Sequence, residues 1–100
     1  MAGDTPDSLS SAGTVTVRYW AAARAAAGVE SDQLPLGSGT TLADVLRAVR
    51  ELHVDRPRLS DVLAVCSVLV GDRPVGARDP EDVPIAAGDI VELLPPFAGG

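Results

Sequence analysis

Ile90-Val91-Glu92-Leu93-Leu94 constrains the fold more than any other segment of this chain. It is short, rich in branched residues, and apolar on both of the faces that a strand presents, apart from Glu92. A strand that is apolar on both faces belongs in the middle of a sheet, where both faces and both edges are covered. Gly88-Asp89 immediately before it supplies the turn that starts it.

The rest of the chain divides around that strand. Residues 1–13 are rich in Ser, Gly, Asp and Ala and read as a disordered N-terminal arm. Thr14-Val15-Thr16-Val17-Arg18-Tyr19-Trp20 alternates and is β-branched and aromatic, so it predicts a first strand with Val15, Val17 and Tyr19 on one face. Ala21–Ala27 predicts a short helix ended by Gly28, and Asp32–Leu36 a second strand. Thr41–Leu52 is the clearest helix. Thr41 and Asp44 are spaced for a reciprocal cap, and Leu42, Val45, Leu46 and Val49 recur at helical intervals. Arg56 before Pro57 ends the helical region, and Leu59–Leu63 adds one more turn. Ala64–Val70 predicts a strand, Gly71-Asp72 a hairpin turn, and Arg73-Pro74-Val75 a short strand that Pro74 confines to an edge. Residues 76–87 read as a loop.

This order predicts an α+β fold: a mixed sheet of four to five strands wrapped around one main helix, the β-grasp arrangement. In that arrangement the first and last strands lie side by side and parallel at the centre. The domain body is expected over 14–94, with a flexible tail over 95–100.

One hundred residues with one cysteine and one histidine can carry neither a disulfide nor a zinc staple within the chain. A lone cysteine is compatible with a reducing cytoplasm, the expected location. The formal net charge of −6 argues against nucleic acid as a partner and suits steering toward a basic protein surface. No apolar run approaches a membrane span, so no membrane partner is expected. Residues 1–13 lack basic residues and an apolar core, so they do not read as a secretory signal. All eight basic residues are arginine, and with no lysine the chain offers no side-chain amine for isopeptide attachment.

Several residues invite a chemical reading and have a plainer one. Cys66 lies in an apolar stretch and reads as a buried, inert thiol. His53 follows a helix and reads as a cap for its last carbonyls. Gly37-Ser38-Gly39-Thr40 precedes a helix but lacks the lysine and spacing of a phosphate loop. Asp79, Glu81 and Asp82 fit no calcium loop and read as a solvated acidic turn. No metal or cofactor site is expected on the chain.

The segment Pro95-Pro96-Phe97-Ala98-Gly99-Gly100 carries the strongest functional signal. Two prolines fix φ and favour an extended exit from the fold. Gly99 and Gly100 lack a Cβ, so the last backbone atoms can enter a slot too narrow for a side chain. A thin, extended, carboxylate-tipped end suits delivery of that carboxylate into another protein's active site. Phe97, after the diproline, reads as an aromatic anchor for a partner, with Leu94, Pro95 and Pro96 beside it. Arg18 and Arg73 are candidate rim contacts of a docking surface on the open sheet face.

With the Gly88-Asp89 turn and apolar strand before it, this ending resembles that of the MoaD/ThiS family of ubiquitin-like sulfur carriers. The diproline before the diglycine is most similar to the small subunit of molybdopterin synthase. The resemblance covers about Thr14 to Gly100. It implies a non-catalytic carrier subunit of a sulfurtransferase whose Gly100 carboxylate is adenylated and converted to a thiocarboxylate. Gly99 and Ala98 would give slot access. A ubiquitin-activating-like adenylyltransferase would use ATP, and a larger molybdopterin synthase subunit would receive the sulfur for molybdopterin. The same tail also suits a carrier for thiazole or cysteine biosynthesis, or a ubiquitin-like protein modifier. A carrier needs no base, metal or nucleophile of its own, because its partners supply positioning and electrostatic stabilisation.

Overall fold

A computed structural model describes residues 13–96. The arm expected over 1–13 therefore lies outside the described residues except for Gly13, whose carbonyl accepts the Leu36 N–H at 3.3 Å. Of the expected tail, Phe97, Ala98, Gly99 and Gly100 also lie outside them.

The strands are β1 (Thr14–Tyr19), β2 (Ser31–Pro35), β3 (Ser67–Val70), β4 (Arg73–Pro74) and β5 (Ile90–Leu94). The helices are α1 (Ala21–Ala27), α2 (Leu42–Leu52) and α3 (Pro57–Leu63), with a 3₁₀ turn over Pro80–Asp82. One sheet holds all five strands in the order β2-β1-β5-β3-β4. β1 and β5 are parallel at its centre, with Val17 opposite Val91 and Tyr19 opposite Leu93. The other pairs are antiparallel. The strand that is apolar on both faces is thus central, and Pro74 sits on an edge, where its missing N–H costs no ladder bond.

Alternation decides which face is covered. Val15, Val17 and Tyr19 of β1 and Val91 and Leu93 of β5 are at most 2% exposed. They meet Leu42, Val45 and Val49 of α2 and Leu59 and Leu63 of α3 in one core. The other face of the sheet carries Arg18 and Ile90, both exposed.

The main helix begins as its spacing predicts. The Thr41 hydroxyl accepts from the Asp44 N–H at 3.4 Å, and the Asp44 carboxylate accepts from the Thr41 N–H at 3.0 Å. Each satisfies a donor that the first helical turn leaves unpaired. The Thr41 backbone bond, aided by Arg47, holds the Asp44 carboxyl below the usual carboxylate range.

β2 lies one residue earlier than expected and β4 ends at Pro74, and two boundaries around α3 differ for local reasons. Pro57 occupies the first helical position, where its fixed φ suits a helix and its missing N–H is harmless. The expected single turn at Leu59–Leu63 is therefore a helix from Pro57. The Val65 and Cys66 N–H groups donate to Val62 and Leu63 carbonyls, so closing that helix consumes residues 64–66. The strand expected from Ala64 consequently starts at Ser67.

The segment read as a loop over 76–87 also contributes to the core. Val83 and Ile85 are buried. Leu42 N–H donates to the Val83 carbonyl at 2.8 Å, and Ile85 N–H to the Thr40 carbonyl at 3.0 Å. These bonds strap the loop to the start of α2.

α1 is too short to persist alone. It is held by burial of Ala23 and Ala27 and closed by Gly28 at φ 81, where a Cβ would stand 2.7 Å from the Arg56 guanidinium. The left-handed φ is what favours glycine there, since the Arg56 side chain can move aside.

Candidate functional site

The last described residues, Pro95 and Pro96, follow directly on the central strand β5. β5 runs parallel to β1 as far as the Tyr19–Leu93 pair. The ladder continues one step further, because the Trp20 N–H donates to the Leu93 carbonyl at 3.2 Å. Leu94 is half-buried, Pro95 buried and Pro96 exposed. The body therefore extends through Pro95, and the two prolines, expected to leave together, straddle its boundary. Phe97, Ala98, Gly99 and Gly100 follow directly and lie outside the described residues.

On the open face beside this exit, three side chains converge. The Trp20 indole N–H donates to Oε2 of Glu92 at 3.2 Å. Arg18 Nη1 lies 3.5 Å from the same oxygen, and the Arg18 guanidinium sits 4.9 Å from the indole centroid. Register explains the convergence, since Arg18 is paired with Glu92 across the central strands. Trp20 is 40% exposed although it is the largest side chain in the protein. Arg18 is an expected contact on this face, and Trp20 beside it is an unexpected one. The alternation of β1 was the available signal: with odd positions in the core, an even-numbered Trp faces out.

Arg73 does not join this rim. It pairs with Val70, which pairs with Val91, so it belongs to the row on the helix-covered side. Residues directly opposite one another share a face. The reading of Arg73 as a contact on the open face is corrected accordingly.

His53 also differs from expectation. Its backbone N–H closes the helix on Val49 O at 3.1 Å, but its ring does not cap carbonyls. Nε2 lies 2.7 Å from Oδ2 of Asp32, and that oxygen also accepts the Tyr19 hydroxyl at 2.8 Å. The rings of Tyr19 and His53 meet edge to face with centroids 5.9 Å apart. Burial, then the Asp32 bond and charge, push the Tyr19 phenol far above its ordinary range. Tyr19 is buried, while the His53 and Asp32 side chains are only partly covered.

Cys66 is half-buried, and burial pushes its thiol up. Such a thiol is a poor nucleophile, because the thiolate is the reactive form. Among the described residues, no group of three His, Cys, Asp or Glu side chains could hold a metal ion. No helix among them is long and apolar enough to cross a membrane. The described residues at the exit are a buried proline beside a polar and aromatic collar of Trp20, Glu92 and Arg18.

Comparisons with known proteins bear on that exit. Residues 17–100 match the ThiS family. Over 86 residues the chain is 31% identical to the molybdopterin synthase sulfur carrier subunit of Chlamydomonas reinhardtii, covering 86% of this chain and 98% of that protein. A chain of the complex of subunits 1 and 2 of molybdopterin-converting factor from Helicobacter pylori 26695 is 26% identical with a TM-score of 0.59, covering 87% of this chain and 99% of that one. The small archaeal modifier protein 1 of Methanosarcina acetivorans shares the fold at 22% identity and a TM-score of 0.69, covering 88% of this chain and 97% of that one. The architecture is the ubiquitin-like β-grasp fold, as the order of elements predicts. A match that starts in β1, crosses the central parallel pair and runs through the diglycine leaves one assignment: this chain belongs to the ThiS family.

Proposed function

We propose that this protein is a cytoplasmic sulfur carrier whose reacting group is the carboxylate of Gly100. The carboxylate attacks the α-phosphate of ATP held by a ubiquitin-activating-like adenylyltransferase, and pyrophosphate leaves. A donor at the oxidation level of sulfide then displaces AMP, leaving a thiocarboxylate. The carrier binds no cofactor itself. It acts as the small, non-catalytic subunit of a molybdopterin synthase, and the larger subunit binds the intermediate that receives the sulfur.

One observation carries this reading. The central parallel pair ends on a buried Pro95 and an exposed Pro96, so the body hands the chain outward four residues before Gly100. Two glycines at the end let the backbone enter a narrow channel, and in this reading Phe97 and Leu94 anchor the partner beside it. The choice of pathway rests on the diproline and on the carrier subunit of Chlamydomonas reinhardtii.

The test is intact-mass spectrometry after incubation with an activating enzyme, ATP and a sulfur donor. Replacement of one oxygen by sulfur at the C-terminal residue is expected. Recovery of unchanged protein, with the same enzyme active on another carrier, overturns the reading. Copurification with a larger synthase subunit separates this pathway from thiazole or cysteine biosynthesis. Conjugates to target lysines that disappear on deletion of Gly100 would instead identify a protein modifier.

A further inference from the structure

We propose that Glu92 and Arg18 are positioning residues that act through Trp20 to fix the root of the tail. The inference rests on Gly100 being the reacting end, and concerns how the body holds the strand that leads to it.

Trp20 grips β5 at two points. Its backbone N–H donates to Leu93 O at 3.2 Å, and its indole N–H to Glu92 Oε2 at 3.2 Å. These are the last residues but one and two of β5, whose end at Leu94 passes directly into Pro95. Arg18 closes the arrangement from β1. Its guanidinium lies on the indole face at 4.9 Å and pairs with the same Glu92 oxygen at 3.5 Å. An ion pair this exposed contributes little alone. Here it is one side of a triangle in which the Glu92 carboxylate accepts the Trp20 indole N–H and forms an ion pair with Arg18, and the aromatic face receives the cation.

The backbone at this corner is also under strain. Ala21, immediately after Trp20, takes φ 48, the left-handed region. For a residue with a Cβ this costs of order 1 kcal/mol and persists only where the surroundings enforce it. The strained corner turns the chain into α1 and leaves the indole lying back over β5 rather than following the helix away from it.

Strand ends open more readily than strand centres. An acyl group that must enter another protein's active site gains from a root that does not wander, since a misplacement of about 1 Å can cost on the order of 10²-fold in rate. Glu92 removes that freedom without touching the reacting atoms.

The experiment uses the full chain with its activating adenylyltransferase, ATP and sulfur donor, comparing wild type, Glu92→Ala and Glu92→Gln. Glu92→Ala should lower kcat for thiocarboxylate formation about tenfold while KM for the carrier changes by less than about twofold. Glu92→Gln keeps an oxygen acceptor for the indole N–H and should recover most of the rate. The tryptophan is single, so its indole N–H gives one signal in an NMR spectrum, and selective tryptophan labelling isolates its backbone N–H. In free Glu92→Ala both should exchange faster with solvent than in wild type, at unchanged melting temperature. An unchanged kcat, a loss confined to KM, or a Gln variant as slow as the Ala variant overturns the proposal. If wild type itself acquires no sulfur, the reading of Gly100 fails. Exchange at Trp20 then decides the clasp by itself, and equal rates in wild type and Glu92→Ala sink it.

Discussion

The Nε2 atom of His53 lies 2.7 Å from the Asp32 oxygen that also receives the Tyr19 hydroxyl at 2.8 Å. One carboxylate oxygen thus joins the end of α2, the edge strand β2 and the last residue of β1. Tyr19 is 2% exposed and pairs with Leu93, so this junction braces the strand beside the tail from the covered side of the sheet.

Replacing Asp32 by Ala leaves the Tyr19 hydroxyl buried without its acceptor, which costs about 1–3 kcal/mol. Tyr19→Phe removes the donor and avoids that orphan, so its cost should be smaller, about 1 kcal/mol. Urea denaturation of the two variants checks the order. A Phe variant less stable than the Asp32→Ala variant would show that the hydroxyl is not what Asp32 satisfies.

The same phenol sets an alkaline limit. Its ionisation is pushed up on folding, by burial first and by Asp32 second. A group with a raised folded value binds its proton more tightly in the native state. It therefore contributes fully below the unfolded tyrosine value of about 10 and progressively less above it. Stability should fall with rising pH above about 10, and tyrosinate absorbance from this single tyrosine should develop together with unfolding. Tyrosinate appearing while the fold is intact would contradict this.

At the acid end the start of α2 responds in the opposite sense. Asp44 is held below its ordinary value by the Thr41 N–H first and Arg47 second. A depressed carboxylate stabilises above its unfolded value, and that stabilisation is lost as pH falls through the folded one. Asp44→Asn should therefore be less stable than wild type at neutral pH, and the gap should close in acid. Thr41→Ala should cost about 0.5–2 kcal/mol at neutral pH through loss of the cap. Thermal melts across pH test both statements.

Leu93 is fully buried and lies against the Tyr19 row at the core end of the central pair. Leu93→Ala should destabilise by about 2–5 kcal/mol, transfer and cavity effects together. Glu92→Ala, one residue away but on the open face, should leave the melting temperature unchanged. A similar loss at both positions would mean that the sheet is covered on both sides in solution.

Adding one residue after Gly100 should abolish sulfur loading, because the acyl group then sits one residue beyond the point its partner reads. Mass spectrometry with the activating enzyme measures it directly. Loading that survives the extension would remove Gly100 from its proposed role.

Much of this protein was written in local pattern. Ile90–Leu94 announced a central strand by its two apolar faces, and β1 declared its buried row by alternation. Thr41 and Asp44 marked the first turn of α2 through three-residue spacing alone. Such features are short-range, because a cap, a turn or a strand face is satisfied by neighbours in the chain. The diglycine and diproline are legible for the same reason, since their backbone consequences need no tertiary partner.

What the chain could not disclose one segment at a time is which distant residues meet. Val83 and Ile85 sit in a stretch without periodicity, and only its strapping to Thr40 and Leu42 puts them in the core. Asp32 opens a predicted strand and His53 follows a predicted helix, and only the packing of sheet edge on helix end brings them within 2.7 Å. Trp20 and Glu92, 72 residues apart, become partners only because β1 and β5 lie parallel in one register. Local geometry determines the elements and the form of the tail. Long-range pairing, which depends on the packing of the whole core, decided what surrounds its root.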